Sequence, residues 1–255
     1  MFSNFIEILI LSFVQGISEF LPVSSSAHLL IISKLKTFQS SSLEIDISLH
    51  LGSLIAIIFY FRKELIGIFK NKNLLLLIIL GSIPLIVVGF ILHKTGLINH
   101  LRNIEIIAWT TLLFGILLFF SDKFEVKKNL NNDLNIKNIL VISFFQILAL
   151  IPGVSRSGIV ITAGRFLKFN RYESSKISFY LSIPAIAGAS FLGLKDIYSQ
   201  NIEINFLIFL SVFLSFIFSY LTIKYFLIFV KNFSLNAFVF YRIILALILF
   251  YIIYY

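Results

Sequence analysis

An acid, two amides, a run of hydroxyls, an imidazole and a guanidinium interrupt two otherwise apolar stretches of this chain. In the first stretch, about residues 4–32, they are Gln15, Glu19, Ser24, Ser25, Ser26 and His28. In the second, about 138–167, they are Gln146, Ser155, Arg156, Ser157 and Thr162. Gln15 and Glu19 stand four apart, so a helix puts them on one face. A carboxylate beside an amide oxygen can hold a hard divalent cation such as Mg²⁺ or Ca²⁺, and a carboxylate can also accept a proton. Ser24-Ser25-Ser26 follows Pro22 at a break, and hydroxyls with free N–H groups at a helix start make an anion site. His28 can activate a serine or protonate a leaving group. Arg156 is flanked by Ser155 and Ser157, with Gly153 and Gly158 close by. Glycine lets backbone approach a ligand, and a guanidinium forks onto phosphate oxygens. The group suits a phosphate better than a carboxylate. Each feature also has a plainer reading. Glu19 and Arg156 can be an ion pair that only staples two segments, the serines can be helix caps, and Arg156 can snorkel to an interface. Their conjunction favours a site.

The elements that would position these groups belong to a membrane protein. Of 255 residues, 59% are hydrophobic and 13% are charged. Soluble domains carry about 25% charged residues, so a soluble globule and a disordered chain are both excluded. With no cysteine, disulfides and thiolate metal sites are excluded, and four scattered histidines make a multi-histidine cage improbable. The net charge of +9 is read as lysines and arginines in cytoplasmic loops beside anionic lipid, not as a nucleic-acid surface. No cleavable signal peptide is expected, because no basic region precedes the first apolar run.

Apolar runs fall at about 4–32, 45–61, 74–92, 105–121, 138–167, 177–194, 205–230 and 237–255. A span needs roughly 20 apolar residues, and only 45–61 looks short. The first and fifth runs are broken by Pro22-Val23-Ser24-Ser25-Ser26 and by Pro152-Gly153-Val154-Ser155-Arg156-Ser157-Gly158. Non-helical backbone at membrane depth persists only where protein or a wet cavity surrounds it. The halves also resemble each other. Ser12-Phe13-Val14-Gln15 matches Ser143-Phe144-Phe145-Gln146, the two breaks follow at matching places, and Gly81-Ser82-Ile83-Pro84 echoes Leu181-Ser182-Ile183-Pro184. The unequal offsets imply an insertion near 33–46 in the first half. If both broken runs enter and leave on one side, loops 62–73, 122–137, 165–176 and 231–236 hold 13 Lys/Arg against 5 in the opposite loops. If both span, the sides hold 9 each. The positive-inside rule prefers the first arrangement. The expectation is an all-α polytopic protein with six transmembrane helices and two re-entrant helix–loop–helix hairpins. It forms one integral membrane domain over 1–255, an inverted-topology repeat with halves of about 1–121 and 138–255. His50 is assigned to packing, His93 and His100 to a loop, Arg165, Lys168, Arg171 and Lys176 to a topology or lipid signal, and Lys224 and Arg242 to snorkelling.

Gln15-Gly16-Ile17-Ser18-Glu19-Phe20-Leu21-Pro22-Val23-Ser24-Ser25-Ser26-Ala27-His28 resembles the E/Q-x-x-x-E and P-V-S-S-x-x-H segments of undecaprenyl-diphosphatases, the bacitracin-resistance proteins. Pro152-Gly153-Val154-Ser155-Arg156-Ser157-Gly158 resembles their P-G-x-S-R-S motif. Leu51-Gly52-Ser53, the stretch from Ser178 to Pro184, and Tyr241-Arg242 are also similar, so the resemblance covers nearly the whole chain. It implies a phosphatase of the bacterial cytoplasmic membrane, open to the extracytoplasmic side. Such an enzyme converts undecaprenyl diphosphate to the monophosphate carrier lipid that cell-wall peptidoglycan precursors need. Carried over by motif, Glu19 is metal ligand or acid/base, Ser25 the nucleophile with direct attack by water as the alternative, His28 proton carrier and Arg156 phosphate holder. Gln15 joins Glu19 as a ligand for Mg²⁺ or Ca²⁺. Ser24, Ser26, Gly153, Ser155, Ser157 and Thr162 line the substrate. The expected partners are a polyprenyl diphosphate and the bilayer, without nucleic acid, and a homodimer is compatible. Two departures stand out: Gln15 where many members have Glu, and Val160 where many have Thr. The alternative is a transporter or flippase of an anionic lipid or metabolite, since broken helices and inverted repeats are common there.

Overall fold

In lipid a chain must pair its own backbone polar groups, so apolar runs of about 20 residues fold as helices. A computed structural model describes residues 2–35, 43–199 and 206–255. In chain order, α1 is Phe2–Ser18, α2 Ser25–Leu35, α3 Leu43–Lys70, α4 Lys72–Thr95 and the short α5 Leu97–His100. Then come α6 Ile104–Asp122, the short α7 Leu130–Asp133, and α8 Ile136–Ile147 with a 3₁₀ turn over Leu148–Leu150. The last four are α9 Arg156–Phe166, α10 Arg171–Ser199, α11 Phe206–Asn232 and α12 Asn236–Tyr254. Six of these, α3, α4, α6, α10, α11 and α12, contain stretches long and apolar enough to cross a bilayer. The apolar stretches of α1 and α8, Phe5–Ser18 and Ile136–Leu150, are shorter. At 1.5 Å per residue each is about 21–22 Å long, well short of the roughly 30 Å hydrocarbon core.

Both broken runs do become two helices joined by irregular backbone. The short run 45–61 gains length because Arg62, Lys63 and Glu64 continue α3 to Lys70. His93 lies in the last turn of α4 and His100 ends α5, so neither is in an open loop. Much of the stretch 33–46 assigned to an insertion lies outside the described residues. The echo of Gly81–Pro84 in Leu181–Pro184 falls on α4 and α10. These are the second long helix after one broken pair and the first after the other, so that match is not a structural correspondence.

The long helices pack through small residues. A Cβ on Gly52 of α3 would stand 2.4 Å from Val212 O of α11. Beside it, Ser53 Oγ shares hydrogen bonds with Ser215 at 3.2 Å and Ser219 at 2.9 Å. A core of Phe20, Phe61, Phe179 and Phe226 ties the first break to α3, α10 and α11, with Phe20 edge-on to Phe179 at 5.5 Å. At the other end of the bundle the connections are stitched together. Lys127 N donates to Lys168 O at 3.0 Å, which brings the chain before α8 to the chain after α9. Leu235 N donates to Asp122 Oδ2 at 3.1 Å, adding the start of α12.

Candidate active site

Two serines set the geometry of the breaks. Ser24 and Ser155 have φ of 76° and 71°, a left-handed backbone that side chains with a Cβ rarely adopt. Each immediately precedes its helix. Ser155 Oγ accepts from Gly158 N at 3.1 Å as the N-cap of α9. Ser24 Oγ instead accepts from Gly153 N at 3.3 Å, across to the other break. Ser157 Oγ returns the link by donating to Leu21 O at 2.6 Å. Gly153 has φ of 92°, and a Cβ there would sit 2.1 Å from Thr110 Oγ1, so only glycine fits. Ser26, more exposed, lies 3.4 Å from Ser24 Oγ.

Glu19 stands where the two tips meet, and it is buried. Its Oε1 accepts from Arg156 Nη2 at 2.8 Å, so the ion pair between the broken runs is real. Its Oε2 accepts from Ser25 Oγ at 2.6 Å and from Gln15 Nε2 at 3.1 Å. Arg156 is therefore not a snorkelling side chain. Arg156 Nη1 and Gln15 Oε1 are buried and make no hydrogen bond. A spare guanidinium donor and a spare amide acceptor thus belong to side chains that share one carboxylate. Buried polar atoms are normally satisfied, so these two mark where a ligand would add partners. Ser25, the first residue of α2, and Arg156, the first of α9, occupy equivalent places on either side of Glu19.

His28 does not bond Ser25. Its Nδ1 lies 2.7 Å from Ser24 O and its Nε2 2.5 Å from Tyr241 Oη, with the rings stacked 5.7 Å apart. A carbonyl can only accept, so Nδ1 carries the proton and Nε2 accepts from the tyrosine. Thr162 is buried in α9, about 9 Å along the helix axis from Arg156, away from the tip. Val160 lies one turn from Arg156 in the apolar core.

Sequence reasoning missed two residues. Arg242, assigned to snorkelling, is fully buried. Its Nη1 donates to Pro22 O at 3.3 Å and Val154 O at 3.0 Å, and its Nη2 to Gly153 O at 2.8 Å. Its Nε donates to Thr111 O at 3.2 Å. One guanidinium thereby binds carbonyls from both tips and from α6. The signal was present: an arginine inside an apolar span is costly wherever it sits, so function is its default reading. Tyr241, its neighbour, carried no signal beyond the similarity of the pair.

The chain matches the family described as bacitracin resistance protein BacA over residues 8–248. It is 60% identical over 255 residues to the undecaprenyl-diphosphatase of Pelagibacter ubique (strain HTCC1062), covering all of both chains. It is 42% identical over 254 residues to that of Elusimicrobium minutum (strain Pei191), covering 96% of each. The undecaprenyl-diphosphatase of Alteromonas mediterranea is 38% identical over 258 residues, with 95% of this chain and 96% of the relative covered. With matches of this extent beside six helices long enough to span, this multi-pass membrane protein belongs to the bacitracin resistance protein family of undecaprenyl-diphosphatases.

Proposed function

We propose that the chain hydrolyses undecaprenyl diphosphate to undecaprenyl phosphate and inorganic phosphate. It does so in the bacterial cytoplasmic membrane, and the product returns to peptidoglycan synthesis. The observation that carries this reading is the Ser25–Glu19–Arg156 network, a hydroxyl and a guanidinium joined through one buried carboxylate. The diphosphate docks at the tips, its tail between helices, with non-bridging oxygens on the free Nη1 of Arg156. Glu19 accepts the Ser25 proton as Oγ attacks the terminal phosphorus and the bond to the bridging oxygen breaks, the general-base arrangement of an activated nucleophile; a water then displaces Ser25 Oγ from that phosphorus, its proton passing through Glu19 back to the serine, and inorganic phosphate leaves. His28, its tautomer fixed by Ser24 O and Tyr241, serves proton transfer at the departing lipid phosphate. The serine-bounded tips and the buried Arg242 keep these parts in place, and positioning plus electrostatics supply most of phosphoryl-transfer catalysis.

The donor set fits a divalent ion held jointly with substrate. Among the described residues no group of three His, Cys, Asp or Glu could cage a metal. Mg²⁺ commonly needs only one or two carboxylates plus substrate phosphates. Glu19 and the unpartnered Gln15 Oε1 would hold it. When bound, it would neutralise charge on the diphosphate.

The α1–α2 and α8–α9 pairs are read as re-entrant hairpins of an inverted repeat, with the site open to the extracytoplasmic side. Support comes from their length, from the Lys127–Lys168 stitch and from the 13-to-5 charge bias, which by the positive-inside rule favours a cytoplasmic lysine-rich end.

The test is phosphate release from undecaprenyl diphosphate by detergent-purified protein, before and after EDTA, with Mg²⁺ or Ca²⁺ then restored. Metal-restored release is expected. Folded protein that moves the lipid across vesicles without releasing phosphate would overturn the reading in favour of transport.

A further inference from the structure

A second cluster of charge lies at the opposite end of the bundle. Asp122 is about 18 Å along α6 from Thr110, which touches the tips, and Arg165 is about 13 Å along α9 from Arg156. Asp122, Phe124, Arg165, Arg171, Tyr172 and Lys231 line a cavity of about 560 Å³ there. Three of the four lysine-rich connections contribute to it.

The charges in this cavity do not cancel. Asp122 is its one acid. Asp122 Oδ1 accepts from Arg171 Nε at 2.7 Å and stands 3.4 Å from Arg165 Nε, while Oδ2 is taken by Leu235 N. Arg165 is buried, its terminal nitrogens donate to Phe169 O, Asp122 O and Phe124 O, and its Nε makes no hydrogen bond. Arg171 bonds Asp122 through Nε, and its side chain is 33% exposed, so its terminal nitrogens can serve another partner. Lys231 Nζ sits 4.4 Å over the Tyr172 ring. Of the acids nearby in sequence, Glu125 pairs with Lys127 and Glu173 does not line the cavity. Two guanidiniums and an ammonium therefore face one carboxylate, and a partly buried excess of positive charge calls for a counter-ion.

The geometry points to a second anion site here, one that takes a phosphate group. A forked guanidinium beside an ammonium matches phosphate oxygens. The first turn of α10 adds its positive end, with Asn170 Oδ1 capping Glu173 N at 2.8 Å. The Phe124 and Tyr172 walls suit a phosphate carried on a lipid, and basic pockets between membrane helices hold such headgroups. A lipid headgroup and free phosphate share this chemistry.

The experiment uses full-length protein carrying Arg156→Gln, which removes the phosphate-holding cation of the tips. Thermal unfolding is followed in phosphatidylcholine nanodiscs, in nanodiscs with phosphatidylglycerol added, and with inorganic phosphate in place of that lipid. A rise in midpoint of several degrees is expected, and adding Lys231→Gln should abolish it. Lys231→Gln leaves the Asp122 network intact; Arg171→Gln, which removes one bond to Asp122, is the second variant and is also expected to abolish the rise. A rise with inorganic phosphate identifies a free-anion site, and a rise with phosphatidylglycerol alone identifies a headgroup site. No rise with either probe, or a rise unchanged by both substitutions, overturns the proposal.

Discussion

The two broken helix pairs share a backbone device and divide the chemistry. Gln15 and Gln146 each precede, by nine residues, a serine held at positive φ. Each serine is followed by the first residue of a helix that bonds Glu19. From there the pairs differ. The first places an acid four residues after its glutamine, then Ser25 and His28. The second places Leu150, Arg156 and Ile159 at the matching positions. Gln15 bonds Glu19, whereas Gln146 is fully buried with both amide atoms unpartnered. One pair thus carries acid, hydroxyl and imidazole, and the other carries the cation. The lesson is that a strained turn brings the N-terminus of a helix to the centre, and the residue at that first position decides what the turn contributes.

Arg156→Ala removes the whole contribution of the second pair, and hydrolysis should fall about 10³-fold, as expected for losing a charge-stabilising donor. The protein should still insert, which size-exclusion chromatography of the purified variant checks; near-normal phosphate release would reduce the second pair to scaffold. Arg242→Gln removes donors to both tips at once. It should lower stability by about 3 kcal/mol, because buried carbonyls lose their partners, and denaturation in detergent reads this. If stability is unchanged, the tips hold each other without it. Tyr241→Phe tests the asymmetry at His28. Loss of one hydrogen bond of about 1.4 kcal/mol should lower kcat about tenfold with KM unchanged, and in ¹⁵N spectra the His28 Nε2 signal should shift as its donor is lost while Nδ1, still bonded to Ser24 O, stays protonated. Gln15→Glu has the smallest expected effect: a lower Mg²⁺ concentration for half-maximal rate, by a factor of several, since a second carboxylate strengthens a hard-cation site. An unchanged Mg²⁺ requirement would remove Gln15 from the ligand set.

Much of the site was legible because the membrane makes polar residues conspicuous. Glu19 and Arg156 stood out by cost alone, and the breaks at Pro22 and Pro152 located the tips. The same rule applied to Arg242, yet its position within the last apolar run let it pass for a snorkelling side chain. Arg165 passed for a topology signal because a lysine-rich segment surrounds it, although its guanidinium is buried among backbone carbonyls. Thr162 was read as a substrate-lining hydroxyl, and α9 carries it about 9 Å along its axis from Arg156.

Composition and hydropathy by themselves determined that the chain is an all-helical membrane protein with two interrupted helices, since these follow from burying apolar side chains and satisfying backbone groups in lipid. Residue types at the interruptions determined which chemistry was on offer. Which partners these residues meet follows from the packing of the helices. That packing joined Glu19 to Arg156 across 137 positions and His28 to Tyr241 across 213. It also gathered the carbonyls of both tips around Arg242. Periodicity fixes which face of a helix a residue occupies, but which other face meets it depends on how whole helices pack.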